Sequence, residues 1–219
     1  LVFLSITQAV IAFAMAAVAV QMGGNRLRMS RRILATSFAA LGAFHALSML
    51  SFWLAGQGPQ WVLTRTLVSA ASQSASVIHL VFLGLALYLS VFRQGLRRGT
   101  FRLSIAAALV VGVALAWPGA FDAGSAELRT TLRVGMRSLI TTLAYAALVV
   151  LMARHRPVSG RTLGQGLVVG SLSILAASNG VNAVTTLVRD WQAWGADVTV
   201  WLQLFGLVGV MALAIAMLV

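Results

Sequence analysis

Seven apolar stretches, joined by short connectors, dominate this chain and limit the folds open to it. They run near residues 1–21, 33–55, 61–92, 103–117, 130–152, 165–188 and 198–219. Several reach the roughly 20 residues that a helix needs to cross the hydrocarbon core of a bilayer. Of the 219 residues, 60% are hydrophobic and 9% are charged, against about 25% charged in soluble domains. The sequence therefore predicts an all-α integral membrane bundle of seven transmembrane helices.

The distribution of arginine predicts how this bundle is oriented. All 16 basic residues are Arg; eleven lie in the connectors after the first, third and fifth stretches, which contain no acid. The opposite side holds the other five Arg and all four acids. The positive-inside rule then places the N-terminus outside and the C-terminus in the cytoplasm. The use of Arg without Lys suggests a GC-rich bacterial genome, and hence a bacterial inner membrane. We expect residues 1–219 to be a single transmembrane domain, excerpted from a longer chain with a cytoplasmic domain after residue 219.

Several classes of function are excluded by residue types that the chain lacks. It has no Cys and no Lys, which excludes thiolate catalysis, Cys-ligated metals and a Schiff base. The net charge of +12 lies in loops without interleaved aromatic residues, which argues against nucleic acid as a partner. No apolar stretch contains Asp or Glu in its interior, and no HExxH, GxSxG or glycine-rich phosphate motif is present. We therefore expect no enzyme activity and no metal site within these residues.

Polar side chains recur at helical spacing in three of the stretches. They are Arg65, Ser69, Ser72, Ser76 and His79; then Arg133, Arg137, Thr141 and Tyr145; then Ser171, Ser178, Asn182, Thr185 and Arg189, with Asn179 adjacent. Such spacing places each set on one helix face, and buried polar groups should face the bundle interior. One interpretation is a shared pocket. The alternative is that the serines bond their own helix and that Gly166 and Gly170 mark a close helix contact.

Three arginines lie within the apolar stretches and would make the predicted pocket positively charged. Arg65, Arg133 and Arg137 lie one or more turns inside the apolar ends, where Arg costs about 2.5–3.5 kcal/mol on insertion scales. No acid lies at that depth to neutralise them. Either these side chains extend to the headgroups, or they line an outward-opening pocket that binds a carboxylate or phosphate. The negative partner would be an external anion or an outer-loop acid such as Glu127 or Asp190.

Two histidines are expected at similar depth in consecutive antiparallel helices. Counted from the predicted cytoplasmic ends of their stretches, His45 and His79 both lie about 18–20 Å into the membrane at 1.5 Å per residue. A hydrogen-bonded pair lining the pocket is one interpretation. Ligation of haem b between the two rings is another.

One segment resembles a known class of input domain. Residues 44–72, FHALSMLSFWLAGQGPQWVLTRTLVSAAS, resemble the multi-span membrane-associated sensor domains of bacterial histidine kinases and diguanylate cyclases. The matching elements are His45, Trp53, Trp61 and Arg65, arranged as a His-containing span, a short loop and a Trp-x-x-x-Arg start to the next span. The resemblance implies a sensory domain whose last span continues into a cytoplasmic output domain.

Together these patterns lead to one main hypothesis and two alternatives. The main hypothesis is a sensory input domain, a homodimer embedded in membrane lipid, that binds a small amphipathic anion between its helices. The residues expected to bind the ligand are Arg65, Ser69, Ser72, Ser76, His79, His45, Arg133, Arg137, Tyr145, Asn179 and Asn182. The alternatives are a redox subunit carrying haem b, and a structural or transport subunit of a membrane complex.

Overall fold

The computed structural model describes residues 2–21, 28–92, 98–120, 134–155, 162–187 and 195–218, and in these ranges all regular structure is helical. The seven α-helices are α1 (Val2–Gln21), α2 (Arg28–Ala55), α3 (Val62–Phe92), α4 (Arg98–Ala120), α5 (Met136–Arg154), α6 (Thr162–Leu187) and α7 (Gly195–Leu218). A single 3-10 turn (Pro59–Trp61) precedes α3. The predicted all-α class is confirmed.

Five of these helices are long and apolar enough to cross a membrane, which fits a multi-pass membrane protein. The candidate spans are Phe3–Gln21, Arg31–Ala55, Val62–Leu89, Met136–Arg154 and Gly164–Leu187. In α4 and α7 the apolar segments are shorter, Phe101–Leu115 and Val200–Leu213. Seven crossings and the orientation therefore stay predictions.

Helices α2 and α4 extend furthest beyond the apolar stretches that predict them. Helix α2 begins at Arg28, five residues before its apolar stretch, and α4 runs from Arg98 to Ala120 instead of 103–117. Hydropathy marks only the part suited to the hydrocarbon core, whereas Arg is a good helix former and lets a helix continue into the polar interface.

The helices group into two compact units. The first comprises Leu1–Ala86 with Gly95–Arg129, and therefore holds α1, α2, α4 and most of α3. The second comprises Leu87–Gln94 with Thr130–Val219, and holds the end of α3 with α5, α6 and α7.

Glycines allow close helix contacts in the first unit. A Cβ built on Gly42 of α2 would lie 3.0 Å from the ring of Phe13 on α1. At Gly112 of α4 an added Cβ would lie 2.6 Å from the backbone nitrogen of Ser74 on α3, so α4 packs directly against the α3 backbone. Gly58, with φ +108, forms the tight turn between α2 and α3 that a residue with a side chain adopts only with strain.

In the second unit, α6 contacts both of its sequence neighbours. Gln165 Nε2 donates to the carbonyl oxygens of Met152 (2.5 Å) and His155 (3.2 Å), and so caps the C-terminal end of α5. A Cβ on Gly209 of α7 would lie 2.9 Å from Leu175 Cγ of α6. Helix α6 is thus held to α5 by a side-chain cap and to α7 by a close glycine contact.

The pair Gly166 and Gly170 does not form the close contact expected from its GxxxG spacing. A Cβ on either residue would meet no atom of the described residues within 4 Å, and both glycines are exposed. Spacing alone indicates only that two small residues share a face, and here that face is not packed against another described helix.

Candidate functional site

A buried run of polar side chains lies in the middle of α3. All of residues 72–77 are buried, so this part of the helix is covered on every side. We call the buried polar side chains of this region the polar belt; they are Ser69, Ser72, Gln73, Ser74, Ser76 and His79. A polar group buried without a hydrogen-bond partner is costly, so the partners of these side chains decide what the belt can do.

His79 is bound to α2 through a serine that the sequence did not single out. Ser37 is fully buried (0% exposed) and His79 is 3% exposed. The Ser37 hydroxyl donates to the His79 carbonyl oxygen at 3.0 Å and lies 2.9 Å from His79 Nδ1. His79 Nδ1 is also 3.0 Å from the Ser37 carbonyl oxygen. Each side chain therefore contacts the backbone carbonyl of the other residue, and together they join α2 to α3.

These contacts fix the proton on the His79 ring. A carbonyl oxygen only accepts hydrogen bonds, so Nδ1 must donate to the Ser37 carbonyl. The single hydroxyl proton of Ser37 already goes to the His79 carbonyl, so its Oγ can only accept from Nδ1. In the neutral imidazole, Nε2 is then the nitrogen with the lone pair.

A second pair of hydroxyls joins the same two helices further along. Ser48 Oγ and Ser72 Oγ are 2.7 Å apart, and Ser72 Oγ also donates to the Phe44 carbonyl oxygen at 3.3 Å. We call the surface between α2 and α3 that contains the Ser37–His79 and Ser48–Ser72 pairs the α2–α3 seam.

The register of this seam places His45 and His79 at different levels. His79 lies opposite Ser37, and His45 is eight residues further along α2, about 12 Å at 1.5 Å per residue. The prediction that the two histidines lie at the same level counted residues from the ends of two apolar stretches, and such a count does not give the register between two helices. His45 instead lies edge-on to Phe44, with ring centroids 4.9 Å apart.

One face of α3 connects an exposed arginine to the polar belt. Arg65, Ser69 and Gln73 follow one another at steps of four, which places them on the same face. Arg65 is exposed in the first turns of α3, whereas Ser69 and Gln73 are buried. Gln73 Oε1 has no hydrogen-bond partner among the described residues. This face thus runs from an accessible positive charge to a buried acceptor.

The second unit holds the other predicted ligand-binding residues. Arg137 is half-buried, and Tyr145 is 3% exposed on the same face of α5. Asn182 Nδ2 of α6 donates to Ser138 Oγ of α5 at 2.8 Å, whereas Asn179 Nδ2 donates to the Leu175 carbonyl of its own helix at 2.9 Å. Arg133 lies outside the described residues. A single cavity for both sets of residues stays a prediction.

The two asparagines offer a matched test of these contacts. We expect Asn182→Leu to destabilise the protein by about 1 kcal/mol, the usual scale of an interhelical hydrogen bond in membranes. Asn179→Leu should cost less, because it removes a bond within α6 only. Unfolding of both variants in mixed detergent micelles measures the difference, and equal losses would contradict the assignment of Asn182 to the α5 contact.

The serines of the predicted stripes divide between the two interpretations given above. Ser171 donates to the Leu167 carbonyl of its own helix, as expected for a packing serine. Ser178 donates instead to the Leu202 carbonyl of α7, at 2.8 Å, and Ser72 bonds across the α2–α3 seam. Spacing identifies the buried face but not the partner.

Sequence reasoning missed three polar side chains that matter in the structure. They are Ser37, Gln73 and Ser138. Ser138 and Gln73 were each detectable as polar residues one position from a predicted stripe, within a strongly apolar stretch. Ser37 had no distinguishing signal beyond lying in the same apolar stretch as His45.

The described side chains include no acid that could neutralise the arginines. The only acid within the described ranges is Asp197, whose side chain is not described; Asp122, Glu127 and Asp190 lie outside them. Within those same ranges no three His, Cys, Asp or Glu residues cluster as a metal site would require. The chemistry available here is hydrogen bonding by hydroxyls, amides and one imidazole, next to an exposed guanidinium. No protein-family model, curated protein or solved structure matches the chain.

Proposed function

We propose that the protein is a sensory input domain of the bacterial inner membrane that binds a small amphipathic anion and signals to a cytoplasmic output domain. The observation that carries this proposal is the face of α3 that leads from exposed Arg65 to the buried polar belt. An amphiphile needs a charged group at one end of its site and a buried, uncharged environment beyond it. This face offers both within three turns of one helix.

The charge of the site favours an anionic ligand. Arg65 is exposed at the start of α3, so its guanidinium is accessible to an anion. The positive end of the α3 dipole, at Val62, adds to the attraction. A carboxylate or phosphate head group would form charge-assisted hydrogen bonds with the guanidinium.

The α2–α3 seam supplies the element through which binding is converted into a signal. Its hydrogen bonds lie on the helix that carries Arg65, so a ligand that draws α3 toward itself changes the fit of α3 against α2. Helix α3 is continuous from Val62 to Phe92, so a displacement of its first half is transmitted along the same helix.

The remaining parts of the proposal rest on charge distribution and resemblance. Eleven of the sixteen Arg lie in the connectors after the first, third and fifth apolar stretches, which supports a cytoplasmic C-terminus. The resemblance of residues 44–72 to sensor domains supports a homodimer with a kinase or cyclase output.

Arg65→Gln is expected to weaken binding of decanoate at least tenfold, because a hydrogen bond to a charged group contributes about 1.5–3 kcal/mol. The measurement is calorimetric titration of the purified full-length protein in phosphatidylcholine nanodiscs. Arg102→Gln is the matched control, since Arg102 is an exposed arginine on α4 of the same unit and should leave binding unchanged.

Two outcomes would contradict the proposal that Arg65 binds the anion. One is the absence of decanoate binding to the wild type in phosphatidylcholine; the other is equal affinity in the wild type and Arg65→Gln. Adding phosphatidylglycerol to the nanodiscs distinguishes the source of the anion. Competition with decanoate then identifies a lipid head group as an alternative ligand at Arg65.

A second candidate function keeps His79 as a haem b ligand. Its support is the Nδ1 proton donated to the Ser37 carbonyl, an arrangement that metal-binding histidines commonly use to orient Nε2. An absorbance spectrum of purified protein tests it. A Soret band that disappears in His79→Ala supports this function, and a colourless preparation from haem-supplemented cells contradicts it.

A further inference from the structure

Gln73 has a buried side-chain amide, and its oxygen accepts no hydrogen bond from the described residues. The side chain is 4% exposed, and Oε1 has no hydrogen-bond partner in the described ranges. Leaving an acceptor unpaired inside an apolar environment carries the full desolvation penalty of that group. A hydrogen-bond donor on a ligand would remove this penalty by donating to Gln73 Oε1.

The position of Gln73 relates it to the proposed anion site. Gln73 is eight residues from Arg65 on the same face of α3, which is about 12 Å along the helix axis. Ser69 lies between them, and Ser76 lies one turn beyond, both buried. A chain laid along this face from the level of Arg65 therefore reaches the level of Gln73 after about 12 Å of helix rise.

We propose that the ligand carries a hydrogen-bond donor at this distance from its anionic head, and that Gln73 Oε1 accepts from it. The inference rests on the proposed function and specifies the substrate class: a single-chain hydroxylated amphiphile rather than a simple fatty acid. The head group binds Arg65, the hydrocarbon lies along Ser69, and the hydroxyl donates to Gln73.

Three probes that differ at one end of the chain separate these roles. Decanoate has the head group only, ω-hydroxydecanoate adds a donor, and ω-methoxydecanoate adds an acceptor that cannot donate. In the full-length protein in phosphatidylcholine nanodiscs, ω-hydroxydecanoate should bind about fivefold more tightly than decanoate, the usual value of a neutral hydrogen bond. The methoxy probe should show no such gain.

Substitutions then assign the gain to one residue. Gln73→Met, which nearly preserves the side-chain volume, should abolish the difference between the hydroxy and plain probes. Gln60→Leu is the control, because Gln60 is an exposed amide in the α2–α3 turn and should leave the difference intact. If Gln73→Met does not fold, the three probes on the wild type still test whether a hydrogen-bond donor on the ligand increases its affinity.

The results distinguish the two proposals. Decanoate binding without a gain for the hydroxy probe overturns the role of Gln73 and leaves the anion site at Arg65 standing. A gain that persists in Gln73→Met also overturns it. Failure of all three probes to bind overturns the proposed function itself.

Discussion

Gly112→Ala is expected to destabilise the protein by about 2–3 kcal/mol, as overpacking of a well-packed core does. The added Cβ would lie 2.6 Å from the Ser74 backbone nitrogen, and a backbone cannot move aside as a flexible side chain can. The α3 and α4 helices must then separate next to the polar belt. Reversible unfolding by sodium dodecyl sulfate in mixed micelles measures the loss.

Gly166→Ala is the matched control for this prediction. It is the same substitution inside a helix, but its Cβ meets no described atom within 4 Å. Alanine is favoured over glycine in a helix by roughly 0.5–1 kcal/mol, so this variant should be neutral or slightly more stable. Equal losses in the two variants would show that α4 does not pack on the α3 backbone at Ser74.

His79→Ala should cost about 3 kcal/mol, within the range for truncating a large buried side chain. The substitution leaves a cavity, and it removes the ring that contacts the hydroxyl and the carbonyl oxygen of Ser37. Ser37→Ala should cost only about 1 kcal/mol, since it removes one hydroxyl from an interhelical contact and the ring still donates to the residue 37 carbonyl.

A double-mutant cycle tests whether these two side chains act together. Residues in direct contact show coupling energies of about 0.5–3 kcal/mol, whereas independent sites are additive. We expect the Ser37→Ala and His79→Ala losses to be non-additive in the same unfolding measurement. Additive losses would contradict the hydrogen bonds between α2 and α3 at this position.

The helices were predictable from sequence because burial in a membrane requires long apolar helices that satisfy their own backbone. The prediction was weakest where helices leave the apolar region, as at Arg28 and Arg98. There hydropathy ends but helix propensity does not, so the starts of α2 and α4 were each placed five residues too far inside.

Hydrogen-bond partners across helices could not be read from the sequence. The stripe on α3 correctly identified Ser72 and His79 as buried, but nothing in the spacing distinguished Ser37 from other small residues of α2. Contacts of this kind depend on the register between two helices, which is set by packing at many positions. Helical periodicity describes only one helix at a time.

Glycine spacing illustrates the same limit. The GxxxG pair of α6 is not packed against a described helix, whereas the isolated Gly112 lies closest to another helix's backbone among the glycines that the structure describes. A pair of small residues allows two helices to approach but does not require it. What requires glycine at Gly112 is the position of the Ser74 backbone, which no local pattern reveals.

The central claim is that an anion bound at Arg65 shifts α3 against α2. The chain has no Cys, so Leu50→Cys on α2 and Leu67→Cys on α3, both exposed, give a unique pair of nitroxide labels. Continuous-wave electron paramagnetic resonance of the labelled protein in nanodiscs should show a change in spin–spin broadening when decanoate is added, and none in an Arg65→Gln background. An unchanged spectrum at saturating decanoate, with binding verified by calorimetry, would contradict the claim.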